Sequence, residues 1–269
     1  MHPYLNTAVK AARRAGDIIV RGLARFEGME TATKGLNDFV TNIDLAAESA
    51  IIETLRDAYP HHAFLAEESG ASGTGDITWI IDPLDGTTNF MHGFPTFAVS
   101  IACQMAGRME HAVIYDPMRQ EIFSASRGSG AYLENKRLRV SRQRTLDGAL
   151  IGTGFPYREN LQLLDPYMAM MKAVMQRAAG LRRPGSAALD LAYVAAGRTD
   201  GFWEIGLKPW DTAAGTLLIR EAGGLVGTLD GGEYRQNGNI VAGNPRVFNE
   251  LLEALAPFLT DELRENGAA

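Results

Sequence analysis

A chain of 269 residues, 46% hydrophobic and 22% charged, has the make-up of an ordinary globular protein with room for a sizeable core. Its formal net charge of −6 argues against a general affinity for nucleic acid, and its single cysteine, Cys103, excludes a disulfide framework or a cysteine metal site. No apolar run reaches the length of about 18 residues that a membrane span needs, and Met1-His2-Pro3-Tyr4-Leu5-Asn6 has neither a basic region nor an apolar signal core, so a cytoplasmic location is expected.

Residues 3–26 read as an amphipathic helix, with Leu5, Val9, Ala12, Gly16, Ile19 and Leu23 along one side and Gly28 near its end. Lys34 to Asp38 is a polar turn. Leu45 to Tyr59 is a second helix closed by Pro60, with Asp44 at its N-cap or just before it. Ala63 to Ala66 is a short strand running into Glu67 and Glu68. Residues 71–76 form a Gly/Ser/Thr loop before a strand at 77–82, which Pro83 is expected to end because proline cannot donate to a sheet ladder. Strands follow at 96–105, 111–115, 120–126 and 130–133, separated by turn residues. The polar stretch 139–148 is a soft boundary between an N-terminal half (1–145) and a C-terminal half (146–269) of a single domain. Lys136, Arg137, Arg139, Arg142 and Arg144 make it locally basic, and a solvated hairpin and loop is the simplest reading.

The second half reads as a strand at 149–154, a Met-rich helix at 161–179, and a turn at Arg183-Pro184-Gly185-Ser186. A small-residue helix at 187–196, a strand at 201–204 and a helix at 212–222 introduced by Trp210-Asp211 come next. Strands at 224–228 and 239–242 and a helix at 245–256 complete it, with a frayed tail from Thr260. Met168, Met170, Met171 and Met175 are expected to fill core. The mixture indicates a layered α/β or α+β architecture.

Chemistry concentrates in Trp79-Ile-Ile-Asp82-Pro-Leu-Asp85-Gly-Thr-Thr-Asn-Phe90. An apolar strand delivers two carboxylates, three residues apart, to its C-terminal end, and Gly86-Thr87-Thr88 offers backbone N–H groups at a helix start. Carboxylates beside an anion cradle make sense when a hard cation lies between them, which points to Mg²⁺ and a phosphate ester. Asp44, Glu67 with Glu68, and Asp211 also sit at element boundaries, each of the last two groups after apolar or aromatic residues. Gathering buried carboxylates is costly without a cation. Trp79, Trp203 and Trp210 are packing residues that position the acids. Glu68 should face away from Glu67, since neighbours on a strand alternate. The histidines lack the spacing of a zinc site.

Two long stretches, Trp79 to Phe90 and Trp210-Asp-Thr-Ala-Ala-Gly-Thr-Leu-Leu-Ile-Arg-Glu-Ala-Gly-Gly224, resemble the two signatures of the inositol monophosphatase family, within the lithium-sensitive, Mg²⁺-dependent phosphatase superfamily. Ala66-Glu-Glu-Ser69 and Asp38-Phe-Val-Thr-Asn-Ile-Asp44 fit the same pattern, and the likeness runs from about residue 5 to 257, most closely to the bacterial SuhB-type branch. The resemblance implies an αβαβα sandwich. It implies that Glu67, Asp82 and the carbonyl of Leu84 hold one Mg²⁺, that Asp82, Asp85 and Asp211 hold a second, and that Glu67 contributes to a weaker third. Thr87, with Asp44 behind it, would orient and deprotonate the attacking water, with no phosphoenzyme. The N–H groups of Gly86 and Thr87 would hold the phosphate. Asp85, Ala187 and Glu204 would contact the inositol hydroxyls, with Asp211 also at the substrate. Lys34 would lie in a loop that approaches the site. The implied activity is hydrolysis of myo-inositol 1-phosphate and related polyol or sugar monophosphates.

Relatives within the superfamily hydrolyse fructose 1,6-bisphosphate, 3′-phosphoadenosine nucleotides or histidinol phosphate; the compact length and the placement of Glu204 ahead of Asp211 look more like the inositol enzymes. The bacterial branch also implies a partner role with RNA polymerase and Nus factors in transcription antitermination. A catalytically dead scaffold is disfavoured by the intact acids. A homodimer is implied too, with Arg182 and Arg183 on the turn before Ala187 as its expected edge.

Overall fold

The computed structural model describes residues 2–24, 31–35, 38–156, 158–236 and 238–264. Helix α1 (Pro3–Leu23) buries Leu5, Ala8, Ala12, Ala15 and Ile19, a stripe at helical spacing. It ends before the expected limit at 26, and Gly28 lies outside the described residues. A hairpin follows, β1 (Thr31–Gly35) against β2 (Asp38–Thr41). The expected polar turn falls within this hairpin; Leu36 and Asn37 lie outside the described residues, and Lys34 is on β1, its side chain likewise undescribed.

Helix α2 (Asn42–Ala58) starts earlier than expected. Its N-cap is Thr41, whose hydroxyl accepts from the N–H groups of Ile43 and Asp44, so Asp44 stands inside the first turn and not at the cap. Strands β3 (Ala63–Ala66), β4 (Gly70–Ser72) and β5 (Ile77–Asp85) come next. The loop expected at 71–76 contributes β4, because antiparallel pairing of Ala66 with Gly70 and Phe64 with Ser72 satisfies the edge of β3. Strand β5 does not stop at Pro83. Asp82 lies opposite Ser100 and Asp85 opposite Ala98, so three steps on β5 match two on its neighbour. The extra residue is a bulge, and a bulge is where a strand tolerates a missing N–H donor.

A short helix α3 (Thr87–Met91) leads to β6 (Ala98–Met105), β7 (Arg108–Asp116), β8 (Glu121–Ser126), β9 (Gly130–Leu133) and β10 (Lys136–Arg137). These make an eight-stranded sheet in the order β10-β9-β8-β7-β6-β5-β3-β4. Strand β11 (Leu150–Thr153), a 3₁₀ turn, α4 (Leu164–Met175), β12 (Gly180–Arg182), α5 (Ala187–Ala195), β13 (Gly201–Glu204) and α6 (Pro209–Glu221) follow. Then come β14 (Leu225–Gly227), β15 (Ile240–Gly243), α7 (Pro245–Leu255) and α8 (Asp261–Arg264). The second sheet has the order β12-β11-β13-β15-β14. Of the tail expected to fray from Thr260, Asp261–Arg264 instead forms α8, because Leu263 is fully buried in the core with α7, and residues 265–269 lie outside the described residues. The Met-rich helix is only half core: Met170 and Met171 are buried, whereas Met168 and Met175 are 46% and 62% exposed on its outer side.

Helices α1 and α2 cover one face of the large sheet, α5 and α6 lie between the sheets, and α4 and α7 cover the far face of the small one. The layers are α, β, α, β, α, an αβαβα sandwich. Alternation along β5 links the layers. Trp79 and Ile81 enter the core with α1 and α2, while Ile80 enters the core with α5 and α6. Trp79 is fully buried and its indole N–H donates to His62 at 3.0 Å, the packing role expected of it.

The middle layer is tight where α6 crosses α5. A Cβ on Gly215 would come within 2.5 Å of the Leu191 Cβ. Gly215→Ala gains about 1 kcal/mol of helix propensity, but overpacking costs about 1–3 kcal/mol. A lowered urea midpoint is the expected net result; an unchanged or raised midpoint would mean the two helices separate without loss.

Candidate active site

Four element ends converge at the C-terminal end of β5, the side of the large sheet that faces the middle layer. Asp82 is the last regularly paired residue of the strand and is 2% exposed. Asp85 closes the bulge. Its Oδ2 accepts from the Ser186 hydroxyl at 2.6 Å and from the Ala188 N–H at 2.7 Å, so the N-terminus of α5 fixes it. Asp211 stands in the first turn of α6, its Oδ2 accepting the Lys208 N–H at 2.7 Å. Oxygens of Asp82, Asp85 and Asp211 come within 4.8 Å of one another. Glu67 extends β3, its N–H donating to the Ile81 carbonyl at 3.1 Å, and its side chain hydrogen-bonds Asp82.

Burial pushes the Asp82 carboxyl well above the usual carboxylate range, with the charges of Glu67, Asp85 and Asp211 adding to it. Such a donor set, all hard oxygen and mutually repelling, fits a divalent cation such as Mg²⁺.

Beside it lies a second arrangement. Asp44 is fully buried; its Oδ2 accepts the Thr41 N–H at 2.9 Å. The Thr87 hydroxyl lies 3.0 Å from Asp44 Oδ1 and 3.1 Å from the Leu84 carbonyl oxygen, and can donate to either. Burial raises the Asp44 pKa against the opposing hydrogen bonds from Thr41 and Thr87, which makes it a better proton acceptor than a free aspartate. Gly86 precedes α3 with φ +102°, and a Cβ there would meet the Thr96 carbonyl at 3.0 Å and the Gly185 carbonyl at 3.2 Å, so glycine is required. The N–H groups of Gly86 and Thr87 begin the first turn, where no intrahelical acceptor exists.

Ala187 is the first residue of α5 and is mostly buried. Glu204 ends β13 and lies over Gly154, where a Cβ would sit 1.8 Å from Glu204 Oε1. Glu204 and Asp85 both raise the pKa of buried Asp190, after burial itself, which sets all three at one end of the middle layer. The structure therefore gathers Glu67, Asp82, Asp85 and Asp211, joins Asp44 to Thr87 and Leu84, and sets Ala187 beside Asp85 through its neighbours Ser186 and Ala188. Glu68 is half-buried.

Three contributors escaped the sequence reading. Ser186 caps α5 and holds Asp85; a serine just before a helix was the available signal. Glu48, one turn beyond Asp44 on α2, accepts the N–H groups of Glu68 and Ser69 at 2.8 and 2.9 Å and so anchors the segment bearing Glu67. Asp190 is buried between the sheets, and no local pattern announces it.

The family model described as the inositol monophosphatase family matches residues 1–260. The Nus factor SuhB of Pseudomonas aeruginosa is 54% identical over 270 residues, covering 98% of this chain and all of the relative. The crystal structure of the extragenic suppressor protein SuhB from Bartonella henselae superposes with a TM-score of 0.90 at 46% identity, covering 93% of this chain and 97% of the other. An inositol monophosphatase from Anabaena superposes with a TM-score of 0.82 at 37% identity, covering 94% and 95%.

Ser186→Ala removes both a helix cap and a hydroxyl donor to a charged acceptor. Each is worth about 1–3 kcal/mol. A stability loss in that range, read from urea unfolding, is expected, and a variant as stable as the parent would show that Asp85 finds another donor.

Proposed function

Because the chain belongs to the inositol monophosphatase family, we propose that it is a Mg²⁺-dependent phosphomonoesterase acting on myo-inositol 1-phosphate and related polyol or sugar monophosphates. The observation that carries this reading is the meeting of Asp82, Asp85 and Asp211 within 4.8 Å, beside a Thr87 hydroxyl backed by buried Asp44. Glu67, Asp82 and the Leu84 carbonyl would hold one ion, Asp82, Asp85 and Asp211 a second, with Glu67 also serving a third. Bound there, Mg²⁺ supplies charge neutralisation and polarisation of the phosphoryl oxygens.

The chain's own groups supply position and proton transfer. When the Thr87 hydroxyl gives its proton to Asp44, its lone pairs accept a hydrogen bond from the attacking water and aim the water oxygen at phosphorus. As the new P–O bond forms, the water proton moves to Thr87 Oγ1 while the Thr87 hydroxyl proton moves to Asp44, and the alkoxide released by breakage of the ester P–O bond takes a proton from solvent water. The N–H groups of Gly86 and Thr87 hold the phosphoryl oxygens, the usual division of labour in phosphoryl transfer. Asp85, Ala187, Glu204 and Asp211 face the alcohol part of the substrate, and Glu204 accepts a ring hydroxyl bond. The rival phosphate esters of the superfamily are separated by a panel of purified substrates.

A second reading rests on the 54% identity to a relative named Nus factor over its whole length. The protein then also joins a transcription antitermination complex with RNA polymerase and Nus factors. Asp82→Asn separates the two roles: it should retain purified RNA polymerase and Nus factors while losing phosphatase activity. A homodimer is proposed too, with its edge near Arg183, whose guanidinium lies 5.3 Å from the centre of the Phe155 ring.

Phosphate release from inositol 1-phosphate should require Mg²⁺ and fall to background in Asp82→Asn, in Asp211→Asn and in excess chelator. Parent rates in any of the three would overturn the metal assignment. Glu204→Gln should lower kcat/KM on inositol 1-phosphate by the equivalent of about 1.5–3 kcal/mol and on an aryl phosphate by much less. Gly154→Ala, which drives a methyl into the Glu204 carboxylate, should give the same selective loss. Equal losses on both substrates would make Glu204 structural.

A further inference from the structure

On the side of β6 that faces the middle layer, alternate positions carry Ala98, Ser100 and Ala102. Ala98 and Ala102 share their core with Ala213 and Ala214 of α6. Small side chains on both sides let the start of the helix approach the sheet closely. Ser100 is the polar exception in that row, and it is 1% exposed. A buried hydroxyl costs free energy unless it is hydrogen-bonded, and alanine would fill the same place without that demand. Here the demand is met across the layers: the Ser100 hydroxyl donates to the Trp210 carbonyl oxygen at 3.1 Å.

Both ends of this bond stand next to an acid of the cluster. Ser100 lies directly opposite Asp82, the last regular pair of β5 with β6, so the two side chains share one face of the sheet. Trp210 immediately precedes Asp211. The orientation of each acid is fixed locally. Asp82 Oδ1 accepts the Leu84 N–H at 3.0 Å, and Asp211 Oδ2 accepts the Lys208 N–H at 2.7 Å. What these local bonds leave open is the distance between the strand and the helix. On its other side the first turn of α6 is anchored by Tyr234, from the segment between β14 and β15, whose hydroxyl donates to Thr212 Oγ1 at 3.0 Å. That bond ties the turn to the small-sheet side of the layer, and Ser100 ties it to the large sheet.

We propose that Ser100 is a positioning residue that sets the separation of Asp82 and Asp211, and through it the affinity for the ion these two acids share with Asp85. This role rests on the Mg²⁺-dependent reading of the site. Mg²⁺ demands near-octahedral oxygens at about 2.0–2.1 Å, so a small drift of α6 from β6 is felt at the ion. Removing the hydroxyl leaves the helix start held by packing alone on this side. The ion assigned to Glu67, Asp82 and the Leu84 carbonyl takes no ligand from α6, so Ser100 acts on one ion and not on the other.

The test is titration of the purified full chain with Mn²⁺ alone, a cation that takes the same hard-oxygen sets as Mg²⁺, with free Mn²⁺ read by electron paramagnetic resonance. The parent should bind at least two ions. Ser100→Ala should bind one of them about tenfold more weakly, the lower end of what outer partners of metal ligands contribute, and the other unchanged. Ser100→Thr, which keeps a hydroxyl on the same carbon, should bind both as the parent does. Thr54→Val is the control for a lost buried hydroxyl bond: Thr54 Oγ1 donates to the Ala50 carbonyl at 2.7 Å on α2, away from the cluster, and its loss should leave both ions in place. With inositol 1-phosphate, the Mg²⁺ concentration for half-maximal rate should rise in Ser100→Ala by about the same tenfold, while KM for the ester at saturating Mg²⁺ stays within about twofold of the parent's. Urea unfolding checks that each variant is folded. A parent that binds no Mn²⁺ would overturn the metal-dependent reading and this role with it. Two ions bound as tightly by folded Ser100→Ala as by the parent would overturn this role alone. So would an equal loss in Ser100→Thr, which would make packing the determinant, or an equal loss in Thr54→Val, which would make it general stability.

Discussion

Carboxylates forced together at the end of a buried strand are the constraint on which the rest depends. Asp82 has almost no water to solvate it, and Glu67, Asp85 and Asp211 surround it. Water would normally weaken such repulsion; burial removes that screening. The arrangement persists because each acid is held by a different element. Asp85 is gripped by the start of α5, Asp211 by its own helix turn, Glu67 by the parallel pairing of β3 with β5 and by Glu48 behind it. No single element can relax the cluster without giving up its own hydrogen bonds.

Helix polarity favours the acids at two helix starts. Asp44 and Asp211 occupy the same place in the first turns of α2 and α6, each accepting the backbone N–H of the residue before its helix. The N-terminal ends of helices favour negative charge and their C-terminal ends favour cations. The two helices of the middle layer therefore present acids to one end and abut the basic segment around Arg139 at the other. An overall acidic protein can in this way carry a buried acid cluster and a basic surface at opposite ends of one layer.

Packing reaches the chemistry through β5. Its alternate side chains enter two different cores, so the outer helices and the middle layer both fix where Asp82 points. The bulge at Pro83 then turns the chain, bringing Asp85 towards α5 and the Thr87 hydroxyl towards Asp44. Glycine at position 86 allows that turn between two facing carbonyl groups. A residue without a hydrogen-bond donor and a residue without a side chain thus shape the site as much as its acids do.

By itself the sequence determined the kinds of element and the acidic segments. Apolar periodicity marks α1, α2 and the central strands, and Asp82-Pro-Leu-Asp85-Gly is legible because a carboxylate pair and a breaker fall at a strand end. Those are local signals, set by side-chain alternation and turn chemistry within a few residues. Tertiary structure decided the rest. It extended β5 past Pro83, since a neighbouring strand was present to accommodate a bulge, and it set Asp261–Arg264 as α8, since a hydrophobic pocket received Leu263. It turned Met168 and Met175 outward, because which side of α4 meets the small sheet depends on the sheet. It also recruited Ser186, Glu48 and Asp190, whose partners lie far away in sequence. A hydrogen bond between Asp85 and Ser186 spans 101 residues, and no local pattern encodes a contact that only the closed layers bring within reach.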